Sequence, residues 1–351
     1  MLKKLINHEA PLSLLWYPKK FKKFKTNKQK VFSTSNRVRA YNFHECLKIR
    51  DNINSDIANY SISNPNPFCY DIIICQKNMI SLSTAFMLRL SPKKLIVYDM
   101  CDPEKDSFYK RCHLFVDLII SSNYQLTEYA KSKGLKADIY TVVDSHEVTD
   151  VYPKEHLPKN KIKVTWYGVG SNFFNSVKPI YKHIADRNIV FNWASNDDPS
   201  FQKEVGFVRG IHFEMDWRKA QAVNLSWQQF IRSSDVGIVP VMNNKIKSPH
   251  KILNYMAHGI PVVCSPTDAH KRIVQNGYNG FLAHSDEDWN KYLQILKDSD
   301  IRNKIGQAAF NHVYNQYSVE NVSDRYFQFL KIAHKRKSLY TKNQLLISLF
   351  K

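Results

Sequence analysis

The sequence predicts an α/β protein built from two Rossmann-like, doubly wound domains that face each other across a cleft. Three observations carry that expectation. Short, continuously apolar runs alternate with segments of helical period along most of the chain, the pattern of parallel strands buried on both faces. A polar, proline-bearing stretch at residues 144–160 stops the alternation, which then starts afresh. The length, 351 residues, exceeds what a single core comfortably fills.

In chain order, "KVFSTS" (30–35) reads as a first strand and "RAYNFHECLKIR" as the helix after it. "DIIIC" (71–75) is a buried strand followed by the helix "STAFMLRL", and "KLIVYDM" (94–100), "DLIISS" (117–122) and "DIYTVV" (138–143) continue the series. The linker "DSHEVTDVYPKEHLPKN" carries Pro153 and Pro158 and no apolar period. The second series comprises "IKVTWYG" (162–168), "NIVFNWA" (188–194), "KEVGFV" (203–208), "DVGIVPV" (235–241), "IPVVCS" (260–265) and "GFLAH" (280–284). Residues 286–334 then follow a 3.6-residue period. The expected organisation is a basic segment at 1–30, a first domain at 31–150, a second at 160–320, and a helix with a basic tail at 321–351 that can cross back to the first domain. In such sheets ligands sit at the carboxyl ends of the strands, so the loops after the apolar runs hold the candidate residues.

The formal charge is +20 at pH 7, which calls for a negatively charged partner: phosphate groups, anionic lipid or nucleic acid. Residues 1–30 hold nine lysines against Glu9 alone, and residues 335–351 hold five basic residues and no acid. Leu14, Leu15, Trp16, Tyr17 and Phe21 at one end, and Leu345, Leu346, Ile347, Leu349 and Phe350 at the other, are mixed among them. Basic and apolar residues together suit an anionic membrane surface better than a nucleic-acid arm, and a solvated lysine-rich terminus is the plain alternative. Six cysteines show neither a CxxC pair nor metal-ligand spacing, as expected of a reducing compartment. No apolar run is long enough to span a bilayer, and no secretory leader is recognised. A cytoplasmic protein, peripheral at the inner face of the membrane, is the expectation.

The stretch 245–263, "KIKSPHKILNYMAHGIPVV", is the densest in chemistry. Ser248 and Pro249 read as N-cap and first helical residue. Ile252, Tyr255 and Met256 give one buried face. Gly259 reads as a left-handed cap, and Pro261 bars continuation. Lys247 and Lys251 flank the helix start, where a cation opposes the dipole at a cost of roughly 0.3–1 kcal/mol each. An anion such as a diphosphate on the free N–H groups resolves that conflict.

"KSPHKILNYMAHGIPVVCSP" followed by "IVQNGYNGFLAHSDEDW" resembles the donor-binding half of GT-B glycosyltransferases of the family 4 type. "VTWYGVGSN", "SDVGIVPV" and "IRNKIGQAAFNHVYNQYS" agree with it, over roughly residues 160–320. The first half resembles the family more loosely, through "RVRAYNFHECLK", "DIIICQK" and "VYDMCDP". The resemblance implies that Lys247 and Lys251 contact the diphosphate of a nucleotide sugar. It places Asn254 where many members have a ribose-binding glutamate, and Ile246 where a companion glutamate would stand. Gly168, after its strand, is expected to let the chain approach the donor. Ser265 and His270, after another strand, are expected to face the donor.

In the first domain Lys77, Asp99 and Asp102 follow strands. One of the two carboxylates is a candidate general base or acceptor-orienting group, and capping or an ion pair within the domain is the alternative. Arg37 follows the first predicted strand, in a loop without glycine, and with Lys77 is a further cleft candidate. The sequence Asp298-Ser299-Asp300 reads as a helix cap, and no metal or cofactor is expected. The leading functional reading is therefore a metal-independent, retaining transfer of a sugar from a nucleotide-diphosphate donor to a glycan or lipid-linked acceptor in bacterial surface polysaccharide assembly. A catalytically degenerate GT-B-like binding protein and a glycosyltransferase acting on nucleic acid are the alternatives; nucleic acid is not the expected partner.

Overall fold

The computed structural model describes residues 11–18, 35–58, 65–91, 93–168, 176–195, 212–214, 224–241 and 246–349. Its elements in chain order are β1 (Leu12–Pro18), α1 (Asn42–Leu47, continuing a π-helical turn Asn36–Tyr41), β2 (Ile53–Ile57), β3 (Ile72–Gln76), α2 (Leu82–Arg89), β4 (Leu95–Met100), α3 (Asp106–Phe115), β5 (Leu118–Ser121), α4 (Tyr124–Lys131) and β6 (Asp138–Thr141). The second half continues with β7 (Ile162–Gly168), α5 (Tyr181–Ile184), β8 (Ile189–Ser195), β9 (His212–Glu214), α6 (Asn224–Arg232), β10 (Val236–Val239), α7 (His250–Ala257) and β11 (Val262–Cys264). It closes with α8 (Asp268–Lys271), β12 (Phe281–Leu282), α9 (Asp286–Ile295), α10 (Ser299–Val313) and α11 (Val319–Leu349).

Two wholly parallel sheets result, ordered β2-β1-β3-β4-β5-β6 and β12-β11-β10-β7-β8-β9. The two-residue repeat of strands explains why each apolar run is continuous. In the first sheet Leu14, Trp16, Ile72, Ile74, Leu95 and Val97 face one core, while Ile73, Cys75, Ile96, Tyr98 and Met100 face the other. The second sheet divides the same way, with Val164 and Trp166 on one side and Tyr167 on the other. Its order reverses between β7 and β10. That reversal is a topological switch point, where ligands of such sheets bind.

Several expectations are corrected here. The first strand is β1, not 30–35, whose residues 30–34 lie outside the described set. The first domain therefore begins inside the segment read as a basic extension. Leu14, Leu15 and Trp16 are wholly buried, so they build the sheet rather than meet a membrane. The lysine-rich flank of β1 hid it. Strands β2 and β9 were not anticipated; 203–208, Phe21 and the side chains of 345–350 lie outside the described residues.

The stretch 144–160 does join the sheets, but it is not a solvated linker. Ser145, His146 and His156 are buried. Its far end is held by Lys154 and Lys159, both paired with buried Asp235. Helix α11 leaves the second domain and lays Val322, Tyr326, Phe327, Leu330 and Ala333 into a core of the first sheet. The Tyr326 ring lies 5.5 Å from Trp16 and 5.3 Å from Phe43. Asp298 caps α10, accepting from the Asp300 and Ile301 N–H groups. Asp286-Glu287-Asp288, of the same spacing, belongs to the capping box of α9.

Candidate active site

Helix α7 starts one residue later than the sequence suggested. Pro249 occupies the N-cap, and Ser248 Oγ accepts from the His250 N–H at 3.1 Å. Leu253 N bonds to Pro249 O, which leaves the Lys251 and Ile252 N–H groups without a backbone acceptor among the described residues. The helix is buried on every side from Ile252 to Ala257, not along a single face. Gly259, at φ +73°, ends it as expected. A Cβ there would also stand 2.5 Å from Pro153 Cβ, so close packing reinforces the conformational demand.

The burial fixes where α7 aims its first turn. The Lys251 ammonium lies 5.1 Å from the Trp166 ring centroid and 5.4 Å from that of Tyr167. A Cβ added to Gly168 would stand 2.6 Å from Lys251 Nζ. The lysine therefore occupies the exit of β7 at the switch point, and glycine is what leaves it room. Burial and the neighbouring Lys247 pull the Lys251 pKa down to about 8. Neither lysine has a carboxylate partner among the described residues.

His270 joins this group. Its Nδ1 lies 2.8 Å from Ser265 O, a carbonyl, so Nδ1 carries the proton. Burial, with the charge of Lys251 adding to it, depresses its pKa to about 4. The ring is neutral at pH 7, and Nε2 is an acceptor suited to a hydroxyl. Ser265 Oγ accepts from the Val241 N–H at 2.8 Å, tying the exits of β10 and β11 and leaving its own proton to donate. Gly168, Lys247, Lys251, Ser265 and His270 thus converge.

The other candidates do not join them. Asn254 is fully buried; its Oδ1 accepts from the Glu147 N–H at 3.0 Å, and its Nδ2 donates to His250 O at 2.9 Å. It fastens the connecting stretch to α7 rather than presenting an amide to a ribose. Arg37 is likewise committed: its Nε and Nη2 reach the two Glu147 oxygens at 2.7 and 2.8 Å. Asp99 is fully buried and holds Arg39 Nε at 2.7 Å, so it cannot meet an acceptor as a general base. Asp102 is exposed and paired with Lys77, whose backbone is left-handed at φ 49°.

The structure also supplies residues that the sequence did not suggest. The Glu147 carboxylate accepts from Arg37 and Asn42 and lies 3.3 Å from His250 Nε2. Arg37 and His250 hold it ionised, far below the usual carboxylate range despite its burial. Asp144 binds Arg39 of the first domain and Ser248 at the start of α7. These pairs are separated by about a hundred residues of chain, and no local spacing announces them.

Residues 173–298 match the family model of glycosyl transferases group 1. Over that stretch the chain resembles group 1 glycosyl transferases, and its two parallel sheets have the GT-B fold of solved glycosyltransferase structures. The chain superposes on the sucrose-phosphate synthase of Thermosynechococcus elongatus with a TM-score of 0.64 at 13% identity, covering 92% of this chain and 98% of that one. Anabaena HepE in complex with UDP and glucose gives a TM-score of 0.62 at 11% identity, covering 91% and 99%. A glycosyltransferase from Rickettsia africae gives 0.62 at 12% identity, covering 93% and 99%. At these identities the likeness concerns the fold. No curated protein sequence matches the chain.

Proposed function

We propose that this chain is a glycosyltransferase that takes a sugar from a nucleoside-diphosphate donor, with retention and without a metal, and passes it to a glycan or lipid-linked acceptor in surface polysaccharide assembly. The observation that carries the reading is Lys251, a half-buried cation without a carboxylate partner among the described residues, placed over Gly168 at the switch point. Lys247 and the open N–H groups of α7 add positive potential at the same place. Charge developing on a leaving diphosphate is stabilised there by groups already oriented before reaction. Neutral His270 and Ser265 suit sugar or ribose hydroxyls beside it. HepE holds UDP and glucose, and the pneumococcal transferase GtfA holds UDP and GlcNAc, which supports a uridine donor here.

A membrane-facing acceptor is favoured by α2. Leu82, Phe86, Met87 and Leu90 are all at least half exposed, and Lys93 and Lys94 follow them. Among the described residues no helix is long and apolar enough to cross a bilayer. Basic residues beside an apolar helix face suit the surface of an anionic leaflet.

The test is a thermal-shift and turnover screen against a nucleotide-sugar panel, with the anomeric configuration of the product read by NMR. A UDP-sugar should raise the melting temperature and yield an α-linked product from an α-linked donor. Stabilisation by donors with no transfer or hydrolysis would favour the degenerate reading, which Ile246 and the fully engaged Asn254 motivate.

A further inference from the structure

A cavity of about 500 Å³ opens between the two domains beside α8. That volume is within the range of small-molecule sites, ~300–1,000 Å³. Its wall includes Asn123, Tyr124, Thr141, Arg272, Tyr317 and Arg325, and its lining holds no acidic residue. Three features give it the character of an anion site.

The first is Asn123, the N-cap of α4. It is 2% exposed. Its Oδ1 accepts from the Leu126 N–H at 2.8 Å, while Nδ2 has no hydrogen-bond partner among the described residues. A buried amide left this way costs about 1–3 kcal/mol unless a ligand or water accepts from it. The second is the pair of arginines. Arg272 Cζ lies 4.3 Å from the Tyr124 ring centroid and Arg325 Cζ 5.8 Å from that of Tyr317. Each guanidinium rests against a ring, which limits its freedom before any ligand arrives. Neither has a carboxylate partner among the described residues; Arg325 Nη2 donates to Gln316 O at 2.6 Å. The third is the N-terminus of α4, an eight-residue helix whose dipole favours negative charge in the same space.

We infer that this cavity binds an anionic carbohydrate, whose phosphate or carboxylate is held by Arg272, Arg325 and Asn123 Nδ2 while a ring lies against Tyr124 or Tyr317. Position connects it to the donor seat. Pro249 and Ala269 line the cavity, and each is a near neighbour in sequence of Lys251 or His270. As the acceptor subsite this inference rests on the glycosyl-transfer reading; as an anion site it stands alone.

Calorimetric titrations of the full chain with inorganic phosphate, glucose 6-phosphate, glucuronate and glucose test it. At least one anionic probe should bind and glucose should not, and the tighter of phosphate ester or carboxylate names the charged group. Arg272→Gln and Arg325→Gln, both at exposed positions, should each weaken that binding at least tenfold. Asn123→Asp keeps the helix cap but turns a donor into a like charge, and should abolish it. UDP affinity should be unchanged in all three variants. No binding by any anion, equal binding of glucose, or unchanged affinity in the variants would overturn the inference. So would loss of UDP binding in the arginine variants, since the cavity would then be part of the donor seat. A wild-type chain that binds the anionic sugar but not UDP would instead overturn the proposed donor chemistry and leave the cavity assignment standing.

Discussion

Replacing Lys251 with methionine separates stability from donor binding, and the two effects have opposite sign. In the folded chain the Lys251 ammonium titrates at about 8 instead of 10.5. At ~1.4 kcal/mol per pH unit, holding the charge in place costs at most roughly 3–4 kcal/mol at neutral pH. The unfolded chain binds the extra proton between pH 8 and 10.5, so stability rises with pH across that window. The methionine variant should melt at a higher temperature than the wild type at pH 7 and lack the rise. Its UDP affinity should fall, because a charged hydrogen bond of about 1.5–3 kcal/mol is lost, a factor of roughly 10 to 150. A bound diphosphate restores the pKa of Lys251, so wild-type affinity should drop about tenfold per pH unit above pH 8. Lys251→Arg keeps the charge without a titration in that range, and should bind UDP with no such slope. Calorimetry from pH 7 to 9.5 on the three proteins reads all of this. Unchanged UDP affinity in the methionine variant, or the same slope in it, would refute the diphosphate seat.

Gly168→Ala should push Lys251 aside, because its Cβ would meet Nζ at 2.6 Å and Trp166 Cζ2 at 2.9 Å. The ligand-induced thermal shift by UDP should shrink by more than the melting temperature of the free chain changes. Arg37→Ala leaves the carboxylate of Glu147 short of its strongest partner and should cost about 3 kcal/mol in chemical denaturation. The depressed Glu147 pKa contributes stability above the ordinary carboxylate pKa and loses it as pH falls below that value, so the two proteins should converge in acid. His156 and His258 are held neutral with pKa values near 4, chiefly by burial. The unfolded chain takes up protons near pH 6.5 that these rings refuse, so stability should fall between pH 6.5 and 4, and less steeply in a His156→Gln, His258→Gln variant. Phe86→Ser with Leu90→Ser should reduce sedimentation with anionic vesicles while UDP affinity stays constant, which separates membrane contact from the donor seat.

Much of the second domain was legible in the sequence because its signals are local. A continuous apolar run such as β7 needs only its own residues to declare burial on two faces. The α7 start, its glycine stop and the strand behind it lie within nineteen consecutive residues, so cap chemistry and periodicity located the candidate anion seat. The first domain was less legible. Strand β1 lies among masking lysines, and its partners in the sheet, β2 and β3, are set by pairing that no local pattern encodes. Reading its apolar residues as a membrane contact was the consequence.

The carboxylates divide along the same line. Position after a strand correctly put Asp99 and Asp102 at strand ends, but could not tell an open cleft from the Arg39 pair that seals Asp99. Arg37 was read as a cleft candidate and Asn254 as a donor contact, and their partner Glu147 stands 110 and 107 residues away in the chain. By itself the sequence determined the α/β class, the place of the break between the sheets and the lysines of α7, since hydrophobic periodicity, prolines and helix ends act over a few residues. The tertiary structure alone decided which charged groups are neutralised within the protein and which remain for a ligand. A charge is satisfied by whatever the fold brings within about 3 Å of it, and that proximity is not written into local spacing.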